Sequence, residues 1–155
     1  MGRRGILLAG MAVVGLAAAG CNGSTEQAGA SALFHLQPGE CFSSSAGTAG
    51  RTVQVKDVSS VPCGEAHDGE VFAVVAHPAA RDVAYPGDEA VADFAAGECL
   101  ARFPAYTGGS YDDSDLEVAS VRPEHDSWVD KDDREIACVL FRKDARLTGS
   151  QRKPA

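Results

Sequence analysis

The sequence has no Cys-x-x-Cys pair, no Gly-x-Ser-x-Gly elbow, no His-Glu-x-x-His helix and no glycine-rich phosphate loop. Each of these arrangements sets a nucleophile, a metal or a phosphate by its spacing, so the corresponding redox, hydrolase, zinc-protease and nucleotide-binding designs are excluded as local motifs. Groups that converge from distant segments are not excluded by that test. Positive charge is also scarce. Lys and Arg number 14 against 22 Asp and Glu, for a formal net charge of −8. A surface of that sign repels nucleic-acid phosphates, so no nucleic acid is expected as a partner. It also argues against broad adhesion to anionic lipid.

Long apolar runs are nearly absent, and the one that exists is at the start. Arg3 and Arg4 precede Ile6–Ala19, a stretch without a charged or polar side chain that ends in small residues. That is the layout of a secretory signal peptide. It falls short of the about 20 apolar residues that a spanning helix needs. Residues 1–20 are therefore read as a signal segment.

Ala18-Ala19-Gly20-Cys21 resembles the lipobox of bacterial lipoproteins, with Ala18 where those sequences favour Leu. The resemblance implies a lipidated Cys21, an acylated (palmitate-type) anchor, and a chain held at the outer face of the cytoplasmic membrane. Two lipid chains suffice for stable attachment where one is marginal. Loss of residues 1–20 removes Arg3 and Arg4 and makes the remainder more acidic still.

Residues 21–33 then read as the lipidated cysteine and a flexible tether, since Asn22–Ala32 is small and polar without periodicity. Residues 34–144 make one domain, and residues 145–155 read as a disordered tail, loose from Thr148 onward. No internal repeat is visible.

Within the domain, Thr52–Val58 alternates Val53 and Val55 with Gln54 and Lys56, as a half-exposed strand does. Glu70–His77 and Ile136–Phe141 are apolar on both faces and read as central strands. Leu116–Arg122 is a fourth strand, closed by Pro123. Asp88 can cap a helix whose Val91, Phe94, Ala95, Cys99 and Phe103 recur at three- and four-residue spacing, with Pro104 ending it. The expected fold class is α+β, a small antiparallel sheet packed by one main helix.

Besides Cys21 there are four cysteines, Cys41, Cys63, Cys99 and Cys138, an even number in an exported domain. That favours two disulfides over free thiols. Of the three pairings open to four cysteines, Cys41–Cys63 and Cys99–Cys138 are preferred. The first brackets the N-terminal hairpin and the second ties the helix to the last strand.

The order and surroundings of these cysteines resemble the septum-formation domain family of exported and membrane-attached proteins in high-GC Gram-positive bacteria. Gly39-Glu40-Cys41-Phe42 is similar to its first block. Val58, Val61, Cys63, His67 and Glu70 are similar to its second, with Ala66 where proline is usual. Cys99, Phe103, Tyr106 and Gly108 match the third, and Trp128, Asp133-Arg134 and Cys138 the last, with Asp132 where glycine is common. The resemblance implies a lipid-anchored envelope domain linked to cell division, with an envelope or division protein as partner, and no known catalysis or cofactor.

Individual residues keep competing readings. Cys63 and His67 could make a thiolate–imidazolium pair for an exported thiol enzyme or redox protein. Glu65, Asp68 and Glu70 around them disfavour a thiolate, so a structural disulfide is the preferred reading. His35, His77 and His125 share no zinc-like spacing with any cysteine, and no metal is expected.

Two acidic stretches, Tyr111–Glu117 and Asp130–Asp133, could serve a cation- or ligand-sensing module but lack the glycine of an EF-hand. Solvated loop acids are the plainer account. Trp128 is a binding anchor or a core residue, with the core preferred. His67, Glu70, Trp128 and Arg134 are the candidate binding surface. The cations Arg142, Lys143, Arg146, Arg152 and Lys153 read as a solvated end.

Overall fold

A computed structural model describes residues 37–44 and 58–154. The elements are β1 (Cys41–Ser44), β2 (Val58–Val61), β3 (Gly69–Ala76), α1 (Asp88–Thr107), β4 (Glu117–Val121), α2 (His125–Asp130) and β5 (Glu135–Phe141). The five strands form one sheet in the order β2-β1-β3-β5-β4, and every pairing is antiparallel. Among the described residues no helix is long and apolar enough to cross a membrane. The fold is the expected α+β, with α1 on one face and disulfides Cys41–Cys63 and Cys99–Cys138.

β3 and β5 lie at the centre because both faces of each are apolar. On the helix side Phe72, Ala73, Ile136, Cys138 and Leu140 pack with Ala95, Cys99, Phe103 and Tyr106 of α1. Strict alternation would send Phe72 and Ala73 to opposite faces. A bulge between Val71 and Ala73 turns both toward the helix. Phe42, Val58, Val71, Ala137 and Val139 form a second cluster across the sheet.

Two local expectations fail at α1. Gly87, with φ 101°, precedes the helix and its carbonyl accepts from Val91 N, so Asp88 is the first helical residue and not the cap. It still favours the positive N-terminal end of the helix, together with Glu89. Pro104 does not end the helix either, which continues to Thr107 and closes on Gly108 at φ 84°. Pro104 is exposed, so the bond its missing N–H forfeits is replaceable by water, and one more turn carries Tyr106 over the sheet. The strand expected over Thr52–Val58 lies outside the described residues except for Val58, where β2 begins. β1 was expected only as an unplaced arm of the hairpin bracketed by Cys41 and Cys63, which its antiparallel pairing with β2 bears out, and α2 was not expected. β1 is four residues long, too short to show a period. α2 is announced only by its capping box, Glu124 with Ser127.

Gly69 occupies a place where glycine is a steric requirement, because a Cβ there would stand 2.5 Å from Cζ of the Phe42 ring. Gly69→Ala is therefore expected to cost about 1–3 kcal/mol, measured as a drop in the urea midpoint. Combined with Phe42→Ala it should cost less than the two single losses added together, and strict additivity would show that the ring does not press on this backbone.

Candidate functional site

The start of β3 gathers most of the chemistry. Glu70 is fully buried on the helix side of the sheet, opposite Cys41 in the β1–β3 register. Its Oε1 accepts from Tyr106 Oη and from Ser150 Oγ, each at 2.6 Å, and its Oε2 accepts from Gln151 N at 2.6 Å. A buried carboxylate is tolerated only when its oxygens are met by donors, and these come from α1 and from the C-terminal segment. Asp68, two residues earlier, accepts from Ser44 N at 2.7 Å and from Arg146 Nε at 2.9 Å.

The C-terminal segment is a strap and not a loose tail. His67 and Leu147 exchange both backbone hydrogen bonds, at 3.0 and 2.8 Å, and Leu147 is 1% exposed. Gly149 N donates to Cys63 O, and Lys153 N to Tyr106 O. The Arg152 guanidinium lies 4.9 Å over the Tyr106 ring, with one nitrogen 3.4 Å from Pro38 O. This corrects the expected disordered 145–155, of which residues 145–154 are described. Composition misses the strap because its contacts are single residues in a polar stretch: one apolar side chain, one hydroxyl, one backbone N–H. Leu147 was the available signal, an apolar residue inside a charged tail.

Cys63 and His67 do not form a nucleophilic pair in this structure. Cys63 is bonded to Cys41, with Cα atoms 5.2 Å apart. His67 Nδ1 lies 2.8 Å from Glu65 O, and its Nε2 is buried without a hydrogen-bond partner among the described residues. The close grouping of ligand-type atoms among the described residues is Cys41, Cys63 and Glu70, within 4.8 Å of one another. Its two sulfurs are bonded to each other and its carboxylate already accepts three donors, so the donor set does not fit a metal.

Trp128 and Arg134 sit past the other end of β3, away from Glu70. His77 N, just after β3, donates to Arg134 O. Trp128 is 2% exposed and donates from Nε1 to Val83 O at 2.9 Å, while the Arg134 guanidinium stacks 3.6 Å from its ring centre. Arg134 also donates to the carbonyls of Trp128, Asp133 and Arg81. The His77 and Tyr85 rings lie edge-on to the indole at 5.0 and 5.5 Å. Burial, then the nearby Arg134 charge, hold the His77 imidazole below its ordinary value.

The candidate surface of His67, Glu70, Trp128 and Arg134 is thereby corrected. His67, Glu70 and Trp128 are buried, the Arg134 side chain is 11% exposed, and the four are split between two poles. Near Trp128 two large apolar side chains are exposed, Val83 at 46% and Val129 at 58%, among the polar side chains of His125 and Asp126.

The acidic stretches are partly engaged in pairs. Asp113 accepts from Ser110 Oγ, Asp115 pairs with Arg142 at 3.1 Å, and Asp132 pairs with Arg81 at 2.8 Å. A recess of about 410 Å³ beside the first stretch is lined by Thr107, Ser110, Asp113, Ser114 and Gln151 among others. Asp132 stands at φ 55°, a left-handed conformation that glycine adopts without strain.

A family profile described as septum formation matches residues 19–153. No curated protein and no solved structure matches the chain.

Two outcomes follow from this geometry. Thiol attack on Cys63 would expel a Cys41 thiolate within 4.8 Å of the Glu70 carboxylate, so Glu70→Gln should speed reduction of Cys41–Cys63 by dithiothreitol. Alkylation and mass mapping read this, with Cys99–Cys138 as internal reference, and an unchanged ratio of the two rates would show that the carboxylate does not guard the bond.

All three tyrosines are raised. Burial and then Asp88 push Tyr85 to about 12, while burial followed by Glu70 raises Tyr106 and burial followed by Glu117 raises Tyr111. The folded state therefore holds these protons more tightly than the unfolded state does. Their contribution is complete below pH about 10 and is lost as pH rises from there through the folded values. Absorbance at 295 nm should show no tyrosine ionising at its ordinary value while the fold persists.

Proposed function

The chain belongs to the septum-formation family, and from that membership we propose a non-catalytic binding domain, lipid-anchored through Cys21 on the outer face of the cytoplasmic membrane, that engages an envelope or division protein. The family assignment ties it to cell division and the envelope. The observation that carries the binding role is the use made of the family's blocks. Cys41, Cys63, Cys99, Cys138, Glu70, Tyr106, Trp128 and Arg134 are all bonded to other parts of this chain. A catalytic centre leaves reactive groups facing a space where substrate can sit. Here the shared residues build a scaffold, and recognition is left to what the scaffold displays.

Val83 and Val129 are the displayed feature with the clearest binding character. They flank an indole locked by a hydrogen bond and an arginine stack, so they are presented from a rigid base. Rigid apolar anchors lose little entropy on binding.

Crosslinking in intact cells followed by purification from membranes tests the proposal. The unmodified chain should recover an envelope or division protein, and Cys21→Ala should move the chain out of the membrane fraction. Val83→Asp with Val129→Asp should reduce recovery at least about tenfold with the melting temperature unchanged, since both side chains are exposed. Membrane retention by Cys21→Ala would count against the anchor. Undiminished recovery by the valine pair would count against the surface.

A further inference from the structure

The C-terminal strap and the surface beneath it have the relation of a ligand to its site. Three observations bear on this. First, the site is built without the strap. Glu70 is placed by β3 and held by Tyr106 of α1, and the Cys41–Cys63 bond lies beside it. Both disulfide loops close by Cys138, so the covalent staples of the body do not include residues 145–154.

Second, the strap touches that surface at separate points. Leu147 is buried and pairs with His67, Ser150 and Gln151 satisfy Glu70, and Arg152 covers Tyr106 and reaches Pro38 O. Ser150 and Arg152 stay exposed even while making those contacts, and Thr148 and Lys153 beside them are exposed as well. Third, β5 ends at Phe141, and among the described residues beyond it the strap joins the body's backbone ladder only through the isolated His67–Leu147 bridge.

We propose that this surface is a peptide-binding groove which the chain's own C-terminal segment fills at rest. In trans it takes an extended segment of the same chemistry: an apolar side chain, a hydroxyl three residues later, and a guanidinium two residues beyond that. The apolar residue replaces Leu147, the hydroxyl donates to Glu70 Oε1, the next backbone N–H donates to Oε2, and the guanidinium lies over Tyr106. A tethered strap competes at high effective concentration, so the groove opens to a partner only when the strap is weakened or outnumbered. The inference rests on the reading of the protein as a binding domain. Its test uses purified components, so it can fail while the membrane and partner experiments succeed.

The full chain is titrated in detergent against a fluorescein-labelled synthetic peptide of residues 145–155, with anisotropy as the readout. A chain carrying Leu147→Ser, Ser150→Ala and Arg152→Ala should bind that peptide at least about tenfold more tightly than the unaltered chain, whose own strap competes. Adding Glu70→Gln should remove about tenfold or more of the gain, and a scrambled peptide should not bind. A strap variant with native near-ultraviolet dichroism that takes up no peptide at millimolar concentration overturns the proposal.

Hydrogen exchange on the unaltered chain decides the matter if the variant does not fold. The Leu147 and Gln151 amides should exchange well ahead of the β5 amides, as a segment that opens alone does. Protection equal to that of β5 means the strap never leaves separately, and the groove is then not a binding site.

Discussion

A buried carboxylate at the start of β3 constrains much of what surrounds it. Glu70 has no exposure, and a carboxylate taken out of water without donors costs far more than a domain this size can lose. The chain meets the need from two distant places, Tyr106 at the end of α1 and Ser150 with Gln151 in the C-terminal strap. This gives the unexpected extension of α1 past Pro104 a physical reason. A helix stopped at Pro104 would not carry Tyr106 to Glu70, and Phe72 would lose the ring that packs 5.9 Å from its own.

The two disulfides support this arrangement from different sides. Cys99–Cys138 is fully buried in the middle of the core and joins α1 to β5. By loop entropy its 39-residue separation is worth roughly 4 kcal/mol. Cys41–Cys63 closes a shorter loop, of separation 22, and holds β1 and the turn before His67 beside Glu70. The first crosslink sets where the helix lies, the second sets the floor under the strap, and Tyr106 links the two through Glu70.

The parts legible in the sequence are those with a repeating pattern or a strong pairing rule. β3 and β5 were readable because both faces are apolar, α1 because its apolar residues recur at helical spacing, and the disulfides because an even set of cysteines in a domain read as exported leaves few arrangements. The strap left one trace in the sequence, the apolar Leu147, and its polar contacts left none. Leu147, Ser150 and Gln151 matter through what they touch, and nothing in a polar tail says that a buried acid more than 75 residues away in sequence is waiting for its donors.

The candidate surface failed for a related reason. His67, Glu70, Trp128 and Arg134 stand out in the sequence because their chemistry is unusual among their neighbours, and polar or aromatic groups of that kind are equally valuable inside a small domain. Trp128 satisfies its indole N–H on Val83 O, and Arg134 uses its fork of donors on backbone carbonyls. Distinctive residues locate the scaffold here, while the plain valines beside them, Val83 and Val129, stay exposed.

The two poles also differ in their distance from the proposed anchor. Gln37–Gly39, where the described domain begins, lies at the strap pole, since Arg152 meets Pro38 O and Gly39 N donates to Val71 O. Residues 22–36 can span at most roughly 50 Å at full stretch. A lipid on Cys21 would therefore be joined to the domain at its Glu70 pole, with Val83 and Val129 beyond the other end of β3. A domain attached at that pole can offer Val83 and Val129 to an envelope partner without the attachment point lying between them and it. The two binding surfaces argued for this protein would then answer to partners in different places and not compete for one.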